Sequence, residues 1–98
     1  MKIRILKSAQ KDLREGYRFY ERQAIGIGDY FVDSLNSDIE SLKIYAGIHS
    51  KHFGNYYRLL AKRFPFAVYY RLSKEEIIVY AVLDCRRDPA WIRKKLKG

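Results

Sequence analysis

The spacing of apolar residues changes midway along the chain, and that change restricts the fold more than any single motif. Ala9, Leu13, Tyr17, Tyr20 and Ala24 recur at intervals of three and four, the stripe of an amphipathic helix over about 8–24. Phe31, Leu35, Ile39, Leu42 and Ala46 form a second stripe, which predicts a helix over 29–46 ended by Gly47. Only "GIG" (26–28) interrupts the two. So short a link implies an antiparallel helical hairpin. Beyond residue 55 the period drops to two. "YYRLLAK" (56–62), "FAVYYRL" (66–72) and "IIVYAVLD" (77–84) read as strands joined by connections short enough for hairpins. Pro65 lacks an N–H and belongs in the turn. The run 77–84 is apolar on both faces, as in a central strand.

Two ends complete the pattern. "KIRILK" (2–7) reads as a strand, with Ser8 placed to cap the helix that follows. Residues 47–55 read as a loop. Asp88-Pro89 has the form of an N-cap and first helical residue, opening a short basic helix "PAWIRKKLK". The order β-α-α-β-β-β-α is that of one α+β domain spanning 1–98. Apolar residues make up 48% of the chain, enough for a packed core.

Charge separates the halves. Residues 1–50 hold 8 Lys and Arg against 7 Asp and Glu; residues 51–98 hold 12 against 4. Nearly all of the +9 net charge therefore lies in the second half, which predicts an anionic partner: nucleic acid, ribosome or an acidic protein segment. Alternation places Arg58 with Tyr56, and Tyr69 with Arg71, on one sheet face. If the helices cover the opposite face, Arg58, Lys62, Tyr69 and Arg71 gather on an open surface, with Arg86 and Arg87 leaving the last strand nearby. The acids Asp29, Asp33, Asp38 and Glu40 make the outer face of the second helix negative.

Other chemistries find little support. Cys85 is the sole cysteine, so no internal disulfide forms, in keeping with a cytoplasmic setting. It has no adjacent histidine and reads as a packed thiol. No run reaches membrane-spanning length. His49 and His52 lack further ligands, so no metal is expected, and they read as surface histidines, His52 an outside candidate for acid–base work. Without a Gly-rich phosphate loop, no nucleotide cofactor is expected. Trp91, Ile92 and Leu96 are placed to pack the last helix onto the sheet.

"FYERQAIGIGDYF" at the hairpin and "FPFAVYYRLSKEEIIVYAVLDCRRDP" in the sheet, in this order of elements, resemble the RelE/ParE superfamily, the toxins of type II toxin–antitoxin modules. The likeness spans nearly the whole chain. It implies a partner, a cognate antitoxin whose extended segment wraps the toxin in a hetero-oligomer, and one of two targets. RelE-like members cut mRNA on the ribosome; ParE-like members poison DNA gyrase without a hydrolytic site. RNA cleavage needs cations for the developing phosphate charge and groups that move protons. Matched by position, Lys62, Arg63, Arg71 and Arg86 are this chain's set for that role. Three departures argue against it. Phe66-Ala67 stands where such toxins carry a Tyr-Arg-type pair, Trp91 where they carry a tyrosine, and Asp84-Cys85 where many carry histidine. "CRRDP" is closer to the ParE-like paired arginines. The expectation is a gyrase-binding toxin contacting its target through Arg58, Tyr69, Arg86 and Arg87. The alternatives are a ribosome-dependent endoribonuclease and a degenerate member that only binds antitoxin. Against all three stands the plain reading that Arg86 or Arg87 merely pairs with Asp84 or Asp88 at a strand end.

Overall fold

A computed structural model describes residues 1–97. Strand β1 (Lys2–Ile5) leads into the hairpin of α1 (Lys7–Gln23) and α2 (Ile27–Glu40), followed by one turn of helix, α3 (Leu42–Tyr45). Then come β2 (Lys51–His52), β3 (Tyr56–Leu60), β4 (Phe66–Leu72), β5 (Glu76–Asp84) and α4 (Pro89–Lys97). The sheet runs β1-β5-β4-β3-β2. The meander β3-β4-β5 and the short β2 are antiparallel, and β1 lies parallel to β5. This is the α+β architecture that the sequence pattern implies, and β5 is indeed an interior strand.

The hairpin covers one sheet face. Ala9, Leu13, Phe31, Leu35, Ile39 and Leu42 meet Val68, Tyr70, Ile77, Val79 and Val82 in the main core. Each such large side chain contributes about 1.5–3 kcal/mol by leaving water. The opposite face is not open. Helix α4 lays Ile92, Trp91 and Leu96 over Tyr56, Ala67, Tyr69, Ala81 and Leu83, and the Tyr56 hydroxyl donates to the Leu96 carbonyl (3.0 Å). A bulge sorts β5 between the two layers. Tyr69 faces Ala81 while Tyr70 faces Val79, leaving Tyr80 as the extra residue. Side chains change face there: Ile77, Val79 and Val82 face the hairpin, whereas Ala81 and Leu83 face α4.

Glycines let the hairpin helices approach closely. A Cβ on Gly16 would lie 2.4 Å from the Phe31 ring, and one on Gly28 would lie 2.8 Å from the Tyr17 carbonyl. Gly26, at φ 92°, turns the chain. Glu21 then accepts the N–H groups of Gly26 (3.1 Å) and Gly28 (2.9 Å), so α1 supplies the cap for α2.

Some expected boundaries move. Ser8 does not cap α1; its hydroxyl donates across to the Tyr80 carbonyl (2.7 Å). The second helix breaks at Ser41, whose hydroxyl competes for the Asp38 carbonyl (2.5 Å). Asp38 is buried rather than on the negative outer face, and its carboxylate accepts the Lys62 N–H (3.2 Å). The loop 47–55 contains β2. Asp88 does cap α4, accepting the Ala90 N–H (3.0 Å).

Candidate functional site

The end of β5 and the turn into α4 bring Arg86, Arg87 and Lys95 to one edge. Asp84 grips Arg86 through two side-chain contacts, Nε to Oδ1 at 3.0 Å and Nη2 to Oδ2 at 2.7 Å, and also accepts the Arg86 backbone N–H (2.8 Å). The hydrogen bonds from Arg86 hold the Asp84 carboxyl below its usual range. Asp84 therefore anchors Arg86 through both of its carboxylate oxygens. Arg87 stacks over Trp91 at 4.3 Å, and Lys95 lies 5.4 Å from the same ring. Both arginines remain exposed.

The other expected cations do not join them. Lys62 and Arg63 sit exposed in the β3–β4 connection. Arg71 is five residues along β4 from Phe66, roughly 16 Å of strand. Its guanidinium lies 4.2 Å from the Tyr56 ring and 5.2 Å from the Tyr80 ring. Among the described residues its Nε is buried without a hydrogen-bond partner. Lys62, Arg63, Arg71 and Arg86 thus do not converge on one point.

The expected open surface is likewise corrected. Arg58 does stand directly across from Tyr69, but Tyr69 is only 1% exposed beneath α4. It is a core residue, not a contact surface, and burial pushes its hydroxyl pKa up. Arg58 stays half-buried at the margin. Sequence alternation gave the correct face; α4 then covered it.

A trough between α1 and α4 escaped the sequence reading. One hollow of about 530 Å³ is lined by Ser8, Lys11, Asp12, Tyr80, Trp91 and Lys94 among others, and a second of about 380 Å³ by Glu15, Phe19, Phe66, Asp84 and Arg87 among others. They share Asp12, Trp91 and Lys95. Asp12 accepts the Val82 N–H (3.0 Å), and burial raises its pKa to about 6 against that hydrogen bond and the nearby Lys95. Its signal in the sequence was slight: Ser8 and Asp12 are polar, four apart, and flank the apolar stripe at Ala9 and Leu13.

The remaining candidates are structural. Burial pushes the Cys85 thiol up, away from a reactive thiolate. His49 is no plain surface residue: its Nδ1 lies 2.5 Å from the Tyr70 hydroxyl. His52 contacts the Ser50 hydroxyl at 3.1 Å. Among the described residues no group of three or more metal-ligating side chains is present, and no helix is long and apolar enough to cross a membrane.

The helical hairpin against a five-stranded mixed sheet, with a cationic strand end and basic terminal helix, defines a RelE/ParE-type toxin fold. One solved structure with this fold is described as "Chromosomal ParDE TA system from P. aeruginosa". It superposes with a TM-score of 0.77 at 19% identity, covering 84% of this chain and 92% of that one. No curated protein sequence matches. Residues 3–89 match the family described as "ParE toxin of type II toxin-antitoxin system, parDE", and the chain belongs to that family.

Proposed function

We propose that this toxin acts by binding DNA gyrase rather than by cleaving RNA, and that a cognate antitoxin neutralises it in a cytoplasmic hetero-oligomer. The observation that carries the reading is the scatter of the cations. RNA cleavage requires charge-stabilising and proton-transferring groups around one phosphate. Here Arg71 is held between two tyrosines, Asp84 is engaged by Arg86, and Lys62 and Arg63 project from a separate turn. What remains is a rigidly presented cationic edge, Arg86 and Arg87 with the Lys and Arg side chains of α4. Such an edge suits recognition of an acidic surface, with charge setting approach rate and orientation.

The test is induced expression of the wild type beside Arg86→Ala/Arg87→Ala, following DNA supercoiling and mRNA integrity in the same cultures. Growth arrest with DNA damage and intact mRNA is expected, with arrest relieved in the double variant. Codon-positioned mRNA cuts would replace the gyrase reading with the endoribonuclease. Folded protein that causes no arrest would reject toxicity altogether and leave antitoxin binding as the retained role.

A further inference from the structure

Residues 1–50 are nearly neutral in sum, but the hairpin separates their charges. Lys7, Lys11, Arg14, Arg18 and Arg22 recur along α1 at intervals of four, three, four and four, and all five are exposed. At about 100° per residue they fall within about 80° of the helix circumference and extend roughly 22 Å along it. Ala9, Leu13 and Gly16 are buried on the opposite side. Among the described residues no carboxylate lies within ion-pair distance of any of the five. Two acids of α1 border the stripe. Glu21 accepts the Gly26 and Gly28 N–H groups, and Glu15 is exposed at the edge nearer α4, where it lines the smaller hollow. Five cations less these two acids leave the strip at +3.

We propose that this stripe is a contact face for the phosphate backbone of double-stranded DNA, bound without regard to sequence. Its length suits a duplex better than a point ligand: B-DNA carries about one charge per 1.7 Å of axis, so roughly a dozen phosphates lie along it. A single strand is held by stacking its bases on aromatic rings, and no ring stands among the five. Tyr17, beside Arg14 and Arg18, packs against Gly28 instead. The major groove of an RNA duplex is too deep and narrow for a helix, whereas that of B-DNA admits one. A lipid surface needs apolar side chains beside the cations, and the apolar side of α1 is the protein core. The neighbouring helices set the limits of the face. On one flank Val32 of α2 closes the groove beside Arg14 and Arg18. Asp29, Asp33 and Glu40, exposed on α2, repel a polyanion from that helix. On the other flank Lys11 shares a hollow with Lys94 and Lys95, so the positive surface continues onto α4. The face uses neither Arg86 nor Arg87, and the inference does not rest on the gyrase reading.

Fluorescence anisotropy of short labelled DNA duplexes with the purified chain, at salt from about 0.05 to 0.2 M, tests this. We expect binding at low salt that is the same for duplexes of different sequence, with log affinity falling against log salt at a slope near about −4.5 for five contacts. Arg14→Ala/Arg18→Ala should make that slope shallower by about 2 and weaken binding at low salt about tenfold or more. Lys7→Ala/Arg22→Ala, at the two ends of the stripe, repeats the measurement if the first pair misfolds. Lys2→Ala/Lys74→Ala removes the same charge elsewhere and should leave the slope nearly unchanged. A slope that neither stripe variant alters would overturn the inference. So would tighter binding, at the same salt, of an RNA duplex or of phosphatidylserine vesicles. Absence of DNA binding at about 0.05 M salt would overturn it equally, whatever the supercoiling measurement shows for gyrase.

Discussion

Two titratable side chains hold the hairpin and loop to the sheet, and they respond to pH in opposite directions. The Gly47 N–H donates to the Tyr70 hydroxyl oxygen (2.9 Å), which leaves the phenolic proton for His49 Nδ1. Burial lowers the His49 pKa below 6.5, so its neutral form is the native one. Its contribution is therefore present above about pH 6.5 and is lost as pH falls through the depressed value. Tyr70→Phe should cost about 1–2 kcal/mol at pH 7.5 and flatten that acid limb, as denaturant melts at pH 5.5 and 7.5 would measure. Asp12 behaves inversely. Its folded pKa is raised, so its contribution is present below 3.8 and is lost as pH rises through about 6. Asp12→Asn keeps an acceptor for Val82 and removes that charge; its melting temperature should exceed that of the wild type at pH 7.5 and not at pH 4. At this scale the sequence was legible where partners are local. Arg86 pairing with Asp84 is a two-residue step. Tyr69 beneath Ile92 and Asp12 against Val82 are contacts between elements distant in sequence, which alternation alone does not encode.

The elements follow periodicity wherever the run is long, and depart from it where a single residue redirects the backbone. Both hairpin helices, the meander and the basic last helix are visible in apolar spacing and in Asp88-Pro89. The break at Ser41 and the two-residue β2 are too short for any period, and the bulge at Tyr80 changes faces inside a run that is apolar throughout. The hairpin itself rests on close approach. Gly16→Ala would drive a methyl into the Phe31 ring, at a cost of about 1–3 kcal/mol in denaturant unfolding. Phe31→Leu in the same chain should recover part of that loss in a double-mutant cycle. Helix α4 is held more simply. Ile92, 5% exposed, is its main apolar anchor, and Ile92→Ala should cost about 2–4 kcal/mol. That variant should also quicken hydrogen exchange at the β3–β4 amides near Tyr56 and Tyr69, because their cover loosens.

Across the molecule, charge and topology act together. The +9 charge and its concentration beyond residue 50 should make partner association salt-sensitive. Raising salt from about 0.05 to 0.5 M, where screening contracts from beyond 10 Å to a few Å, should slow the association rate with an acidic partner about tenfold or more and leave dissociation nearly unchanged. Stopped-flow mixing at several salt concentrations separates the two. The order of the strands has a further consequence in time. Arg4 and Glu76 pair across the β1–β5 junction although 72 residues separate them, so the sheet cannot close until its last strand has been synthesised. At ordinary elongation rates that interval is roughly 4–14 s. During it, the N-terminal strand and the hairpin exist without β5 and without the cationic edge that follows it at Arg86 and Arg87. The surface proposed above to meet a target is thus the last part of the molecule to assemble.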